Sequence, residues 1–239
     1  MNPWVLIDTA PLPDGRGDIR LIRRAEEFSI MLGTIALMNS RLSGSEEAMS
    51  SLTWTRLTNR TTPHMLIGGL GMGFTLRAAL AELPATAEIT VAELLPAVVT
   101  WARGPMAAIF GSCLDDPRVT IKVSDVGRLI KTAKAGYDAI LLDVDNGPDG
   151  LTVDTNDALY SVAGLKAAKA ALRPGGVLAI WASAPDRAFT QRLGRAGFAV
   201  EEERVRANGK GRGARHVIWL ATNGPARPAA PTPPKRSGT

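Results

Sequence analysis

The chain has 239 residues, 45% apolar and 21% charged, a composition that fits one α/β domain with a small appendage and excludes disordered and fibrous classes. No apolar run reaches membrane-helix length, and the single cysteine, Cys113, excludes an internal disulfide and a cysteine-based zinc site. The net charge of +5 is local: residues 204–215 hold five Lys/Arg and no acid, the tail 223–239 holds three more, and the remainder has 20 basic against 23 acidic residues. The body is therefore slightly acidic, a nucleic-acid-binding face is not expected, and 204–215 reads as a solvated basic loop. Met1-Asn2-Pro3-Trp4 lacks the basic-then-apolar run of a signal peptide, so a cytoplasmic protein is expected.

In chain order, Trp4–Ile7, Ile19–Ile22 and Phe28–Leu32 are short apolar runs separated by turn residues such as Pro11-Leu12-Pro13-Asp14-Gly15. They predict a small antiparallel β unit over residues 1–42. Ser43-Gly44-Ser45-Glu46 has the spacing of a capping box, which predicts a helix from about 45 to 58. From residue 64 the pattern alternates. Strands are expected at His64–Ile67, Ile89–Ala92, Val119–Val123, Ala139–Leu142 and Val177–Trp181. Helices are expected at Thr75–Leu83, Pro96–Arg103, 126–134, Asn156–Leu172 and Pro185–Ala196. Arg173-Pro174-Gly175-Gly176 reads as a turn, and Ala199–Arg204 with His216–Ala221 as a closing antiparallel pair. This alternation predicts an α/β fold of Rossmann-like type over residues 43–222, a mostly parallel seven-stranded sheet with helices on both faces. The proline-rich end, 223–239, is expected to be a disordered tail.

The chemistry gathers at strand ends. Gly68-Gly69-Leu70-Gly71-Met72-Gly73 lies between the first central strand and its helix; glycines there allow a tight turn and a close ligand. Glu93 ends the second strand, where an acid can accept from both hydroxyls of a ribose. Asp125 follows the third strand and can accept from an adenine amino group. Asp143 ends the fourth, facing the crevice where open α/β sheets bind ligands. Three carboxylates around one crevice serve a dinucleotide diphosphate poorly, but a sulfonium cation and an amine well. No histidine has a partner at metal spacing, so no metal is expected. His64 reads as a surface or packing residue, His216 as the start of a strand, and Trp101 and Trp181 as packing residues with a place on the pocket near a strand end open to either.

The run Gly68 to Arg77 resembles the glycine loop and helix start of the spermidine synthase family, the polyamine aminopropyltransferases. Val91-Ala92-Glu93, Asp116-Pro117-Arg118-Val119, Ser124-Asp125-Val126, Tyr137 to Asp143, Leu159-Tyr160-Ser161 and Leu172 to Gly176 extend the resemblance over roughly residues 15 to 221. It implies the class I methyltransferase-like fold behind a small N-terminal β domain, with decarboxylated S-adenosylmethionine or S-adenosylmethionine as donor substrate. By position, the resemblance assigns Gly68, Gly69, Gly71, Gly73, Glu93, Asp125 and Val126 to the adenosyl group. Asp143 with Asp145 fall in the segment that deprotonates the attacking amine, and Glu46, Asn146 and Tyr160 fall on the acceptor side.

The chain departs from the family pattern at three places. Asn146 stands where the second gate acid is expected, with Asp145 one position before it. Gly71 replaces an acid inside the loop, and Gly44-Ser45 replace a Tyr-His pair before Glu46. Aminopropyl transfer to a small-molecule amine is the leading expectation. A small-molecule methyltransferase and a non-catalytic adenosyl- or partner-binding module stay open, as does a homodimer.

Overall fold

The computed structural model describes residues 2–13, 15, 17–57, 59–144, 158–208 and 212–224. The N-terminal segment forms an antiparallel meander of β1 (Val5–Pro11), β2 (Asp18–Arg24), β3 (Glu27–Leu32) and β4 (Ile35–Asn39), in that order across the sheet. In β2 the period-two pattern buries Ile19 and Leu21, which pair with Leu32 and Ile30 of β3. β1, at the edge, leaves Val5, Leu6 and Ile7 exposed, as is Trp4 just before it.

Helix α1 (Gly44–Trp54) then leads into the larger sheet. Its strands are β5 (His64–Gly68), β6 (Glu88–Glu93), β7 (Val119–Val123), β8 (Tyr137–Leu142), β9 (Leu172–Ala182), β10 (Ala199–Asn208) and β11 (Arg212–Thr222). They lie in the order β10-β11-β9-β8-β5-β6-β7. Neighbours from β9 to β7 run parallel, and β11 is antiparallel to both β9 and β10. The expected mostly parallel sheet with an antiparallel last strand is what forms. All six residues of β8 are buried, as a central parallel strand covered on both faces requires.

Alternate residues of the central strands feed two cores. Met65, Ile67, Ile89, Val91, Ala139 and Leu141 join one core with Met49 of α1, Leu76 and Ala79 of α2 (Phe74–Glu82), Val98 and Trp101 of α3 (Pro96–Arg103) and Phe110 of α4 (Ala107–Phe110). Ile19, Leu21, Phe28 and Ile30 of the meander belong to that same core. Leu66, Ile140, Leu142, Leu178 and Ile180 point the other way. They pack with α5 (Val126–Thr132), α6 (Val162–Ala171) and α7 (Arg187–Arg195).

The capping box does not form: Ser43 is the N-cap of α1 but makes no side-chain cap bond, and the Glu46 carboxylate accepts from Ser45 Oγ instead. Strand β4 is absent from the sequence reading. The basic stretch is not a loop through its length, since β10 reaches Asn208 and β11 starts at Arg212; the two arms continue the hairpin ladder. Arg173–Gly176 is absorbed into β9, with a register shift between Tyr137 and Ala139 of β8. At the end of the described chain, the Asn223 side chain donates to the carbonyls of Lys169 and Leu172, so the tail does not begin at 223; residues 225–239 lie outside the described residues. No helix among the described residues is long and apolar enough to cross a membrane.

Candidate active site

The site is built around the turn that leaves β5. Gly69 has φ +89, and a Cβ there would stand 2.7 Å from the Asp143 carbonyl oxygen; only glycine lets the loop pass so close to the end of β8. Two backbone bonds lock this approach, Gly69 N–H to Ala92 O at 2.8 Å and Asp143 N–H to Gly68 O at 3.1 Å. Glu93, 7% exposed, braces the loop from behind. One of its carboxylate oxygens accepts from Leu70 N–H and the other from Leu95 N–H, each at 2.9 Å. Burial pushes the Glu93 carboxyl above its ordinary range, against the lowering effect of these amides.

In front of the loop is a cavity of about 210 Å³ at the junction of the two sheets. Leu37, Met38 and Asn39 of β4 form one wall, Gly71 to Thr75 another, and Trp181 of β9 with His216 of β11 a third. Two acids enter this space of mixed apolar and polar walls: Glu46 from the first turn of α1 and Asp143 from the end of β8. Burial and then the charge of Glu46 push the Asp143 carboxyl up to about 7; the Thr75 hydroxyl, donating to Asp143 Oδ2 at 3.1 Å, opposes them. The Glu46 carboxyl is raised as well, chiefly by burial, while the Ser45 hydroxyl holds its Oε2 at 2.7 Å. The His216 Nδ1 lies 2.9 Å from Ser45 Oγ, and its ring meets Trp181 edge-on at 4.7 Å. Such a pair of acids attracts an ammonium, and a carboxyl that titrates near neutrality can take a proton from it.

The structure therefore brings Gly71, Gly73, Glu46 and Asp143 together on the cavity. Glu93, Gly68 and Gly69 support the loop from the other side. Asp125 is the N-cap of α5, accepting from Gly127 N–H at 2.8 Å, and faces a separate small hollow with Lys131 and Ala158. The Val126 methyls sit 3.1 Å from where a Cβ on Gly68 would be, so these residues flank the far side of the glycine loop. Tyr160, 2% exposed, is packed edge-on against Phe189 at 5.7 Å and donates to Val144 O at 3.5 Å; it belongs to the core rather than to the cavity wall. Asp145 and Asn146 lie outside the described residues. Of the two tryptophans left open as pocket residues, Trp181 lines the cavity; sequence reasoning missed His216 as a cavity residue, and Met38 and Asn39 with the strand that carries them. Neither spacing nor periodicity marks a residue on the last strand as a neighbour of the first helix. Among the described residues no cluster of His, Cys, Asp and Glu is arranged to hold a metal.

A model of the spermine/spermidine synthase domain matches residues 52–188, from the end of α1 to the start of α7. The chain belongs to the spermine/spermidine synthase family. Glu46 and His216 lie outside the stretch that the spermine/spermidine synthase model spans. Within the curated relatives, the polyamine aminopropyltransferase of Mycobacterium tuberculosis is 30% identical over 138 residues, 56% of this chain and 25% of that protein. Putrescine N-methyltransferase 4 of Nicotiana tabacum is 36% identical over 115 residues, 48% of this chain and 28% of that protein. The matched stretch is thus about a quarter of the length of these relatives. The solved spermidine synthase of Thermotoga maritima superposes with a TM-score of 0.72 at 18% identity, covering 92% of this chain and 73% of that one; the fold is shared.

Proposed function

We propose that the protein is a transferase that moves the aminopropyl group of decarboxylated S-adenosylmethionine onto a small-molecule amine. The observation that carries this reading is the acid pair: Asp143, whose carboxyl is pushed up to about 7, and Glu46, on one cavity beside the glycine loop. An amine acceptor arrives as an ammonium, which has no lone pair. The ionised pair binds it, Asp143 takes one proton, and the neutral nitrogen attacks the carbon beside the sulfonium. The new C–N bond forms as the C–S bond breaks, and methylthioadenosine leaves. The apolar part of the wall, Leu37, Met38 and Trp181, lowers the local dielectric and strengthens the attraction between acids and cation.

In this reading the donor's adenosyl half lies along the glycine loop, with Glu93 toward the ribose and Asp125 and Val126 toward the adenine. Asp145 and Asn146 belong to the acceptor side by position, and Tyr160 supports that side from the core through its hydroxyl on Val144 O. Glu93 must then serve two tasks, since its carboxylate already accepts from loop amides; an ionised carboxylate has about four acceptor sites, enough for both.

A second reading has a specific support. The tobacco putrescine N-methyltransferase aligns at higher identity than the mycobacterial aminopropyltransferase, over a shorter stretch. Methyl transfer from S-adenosylmethionine would use the same acid pair on the acceptor. The deciding experiment incubates the protein with each donor and a panel of amines, with products identified by mass spectrometry. Aminopropylated amine with released methylthioadenosine is the expected result. Methylated amine with S-adenosylhomocysteine would replace the first reading by the second, and no product from either donor would remove both.

A further inference from the structure

His216 stands on the cavity wall without a place in the chemistry described so far. It comes from β11, while its hydrogen-bond partner Ser45 comes from the first turn of α1, 171 residues earlier. Ser45 is 1% exposed, and its Oγ lies 2.9 Å from His216 Nδ1 and 2.7 Å from Glu46 Oε2. The directions of these two bonds follow from counting protons. A serine hydroxyl has one proton and two lone pairs. The 2.7 Å contact to a carboxylate is the short, charge-assisted kind, so the proton of Ser45 lies toward Glu46. Ser45 Oγ is left able only to accept from the imidazole, which requires the proton of the ring on Nδ1. Burial holds His216 below its ordinary titration range, so the ring is neutral and has one proton to place.

We propose that His216 is a positioning residue for Glu46: its Nδ1–H donates to Ser45, which directs the Ser45 hydroxyl onto Glu46 and fixes that carboxylate beside Asp143 for the incoming amine. The groups around the imidazole are consistent with this task. Trp181 of β9 supports the ring edge-on, Val205 of β10 pairs with it across the ladder, and Glu46 and Asp143 are the acids that share the cavity. The role rests on the amine-transfer reading for its purpose, whereas the hydrogen-bond chain itself does not depend on that reading.

Two measurements test it. Long-range proton–nitrogen correlation NMR reads the tautomer of each ring, and the chain has two histidines, so His64→Gln assigns the signals. At a pH above the titration of the rings, His216 is expected as the Nδ1–H tautomer, and Ser45→Ala is expected to shift it toward Nε2–H. An Nε2–H tautomer in the unaltered protein overturns the proposal. The second measurement separates hydrogen bonding from packing. His216→Phe keeps a ring against Trp181 without a donor, and His216→Asn keeps a donor near Nδ1 without the ring.

His216→Phe should raise KM for the amine roughly two- to tenfold, the factor carried by one hydrogen bond between neutral groups, with the affinity for methylthioadenosine unchanged. His216→Asn should recover most of that loss. Wild-type KM in His216→Phe, or His216→Asn no better than His216→Phe, overturns the proposal. If the unaltered protein transfers nothing to any amine, the transferase reading falls. The tautomer then decides the chain alone, Nδ1–H in its favour and Nε2–H against it.

Discussion

Asp143 follows the last apolar residue of β8, so the sheet fixes its backbone while burial and Glu46 oppose its charge. The amine can lose its proton only to the ionised form, so turnover should rise with pH through a midpoint near 7. Glu46→Gln removes the neighbouring charge and should move that midpoint to lower pH. A pH–rate profile reads both, and an unmoved midpoint would separate the two acids. Asp143→Asn should cut turnover by roughly 10²–10⁴-fold, the usual worth of a positioned base, with methylthioadenosine still bound. Stability should respond in the opposite sense. The folded carboxyl titrates at about 7 against 3.8 for the free group, so the favourable contribution is complete below the unfolded value and is lost as pH rises through the folded one. Asp143→Asn should therefore raise Tm on the alkaline side and change it little in acid. The scale is roughly 2–4 °C per kcal/mol for a chain of this length.

The glycine turn and the strand after it act as one element. Glu93 accepts from both Leu70 and Leu95, and its removal orphans one buried and one partly buried amide. Glu93→Ala should thus cost roughly 1.5–3 kcal/mol in urea unfolding as well as weaken methylthioadenosine binding; lost affinity with full stability would mean that the brace is dispensable. Gly73 combines φ +76 with a site where a Cβ would fall 2.5 Å from the Phe110 ring. Gly73→Ala should destabilise by about 1–3 kcal/mol, with Phe110→Leu relieving part of it. These elements are legible in the sequence because buried parallel strands are continuous apolar runs and a left-handed turn asks for glycine. Strand β4 is not legible: Ile35–Asn39 is short, and its burial runs from exposed to intermediate without alternation. The hairpin arms of β10 and β11 are hidden for another reason. Beyond the strands expected at Ala199–Arg204 and His216–Ala221, charges such as Arg206 and Arg215 read as solvated loop until the cross-strand ladder pairs Arg206 with Arg215 and Asn208 with Arg212.

On the scale of the molecule, one core spans both sheets, from Ile19 and Phe28 of the meander to Ile218 of β11. Trp101 Nε1 of α3 donates to Asp8 of β1 at 2.7 Å, and Arg56 bridges from beyond α1 to Glu201 and Glu203 of β10. The described meander and the larger sheet should therefore unfold in a single transition, coincident by fluorescence and circular dichroism; two separated transitions would show that the junction is weak. Asp138 tests the far end of the site's own strand. It is fully buried near the start of β8, with Arg60 at 3.1 Å and Arg173 at 2.6 Å. Asp138→Ala removes the acid between two partly exposed arginines and orphans the His64 amide that donates to it, and should cost about 1–3 kcal/mol. Turnover per folded molecule should not change, because five residues of strand place Asp143 about 16 Å away.

The sequence by itself determined the βαβ order, the glycine turn and the placing of acids at strand ends, because each depends on residues within one element or the turn beside it. Which acids meet was decided only by the tertiary structure. Glu93 and Asp125 lie at equivalent strand ends to Asp143, yet one braces the loop and the other caps α5. Glu46 reaches the cavity from α1, and His216 reaches Ser45 across 171 residues of chain. A hydrogen bond between elements so distant leaves no period and no spacing in the sequence; it exists only once the antiparallel last strand is laid beside β9 and carries the imidazole to the first helix.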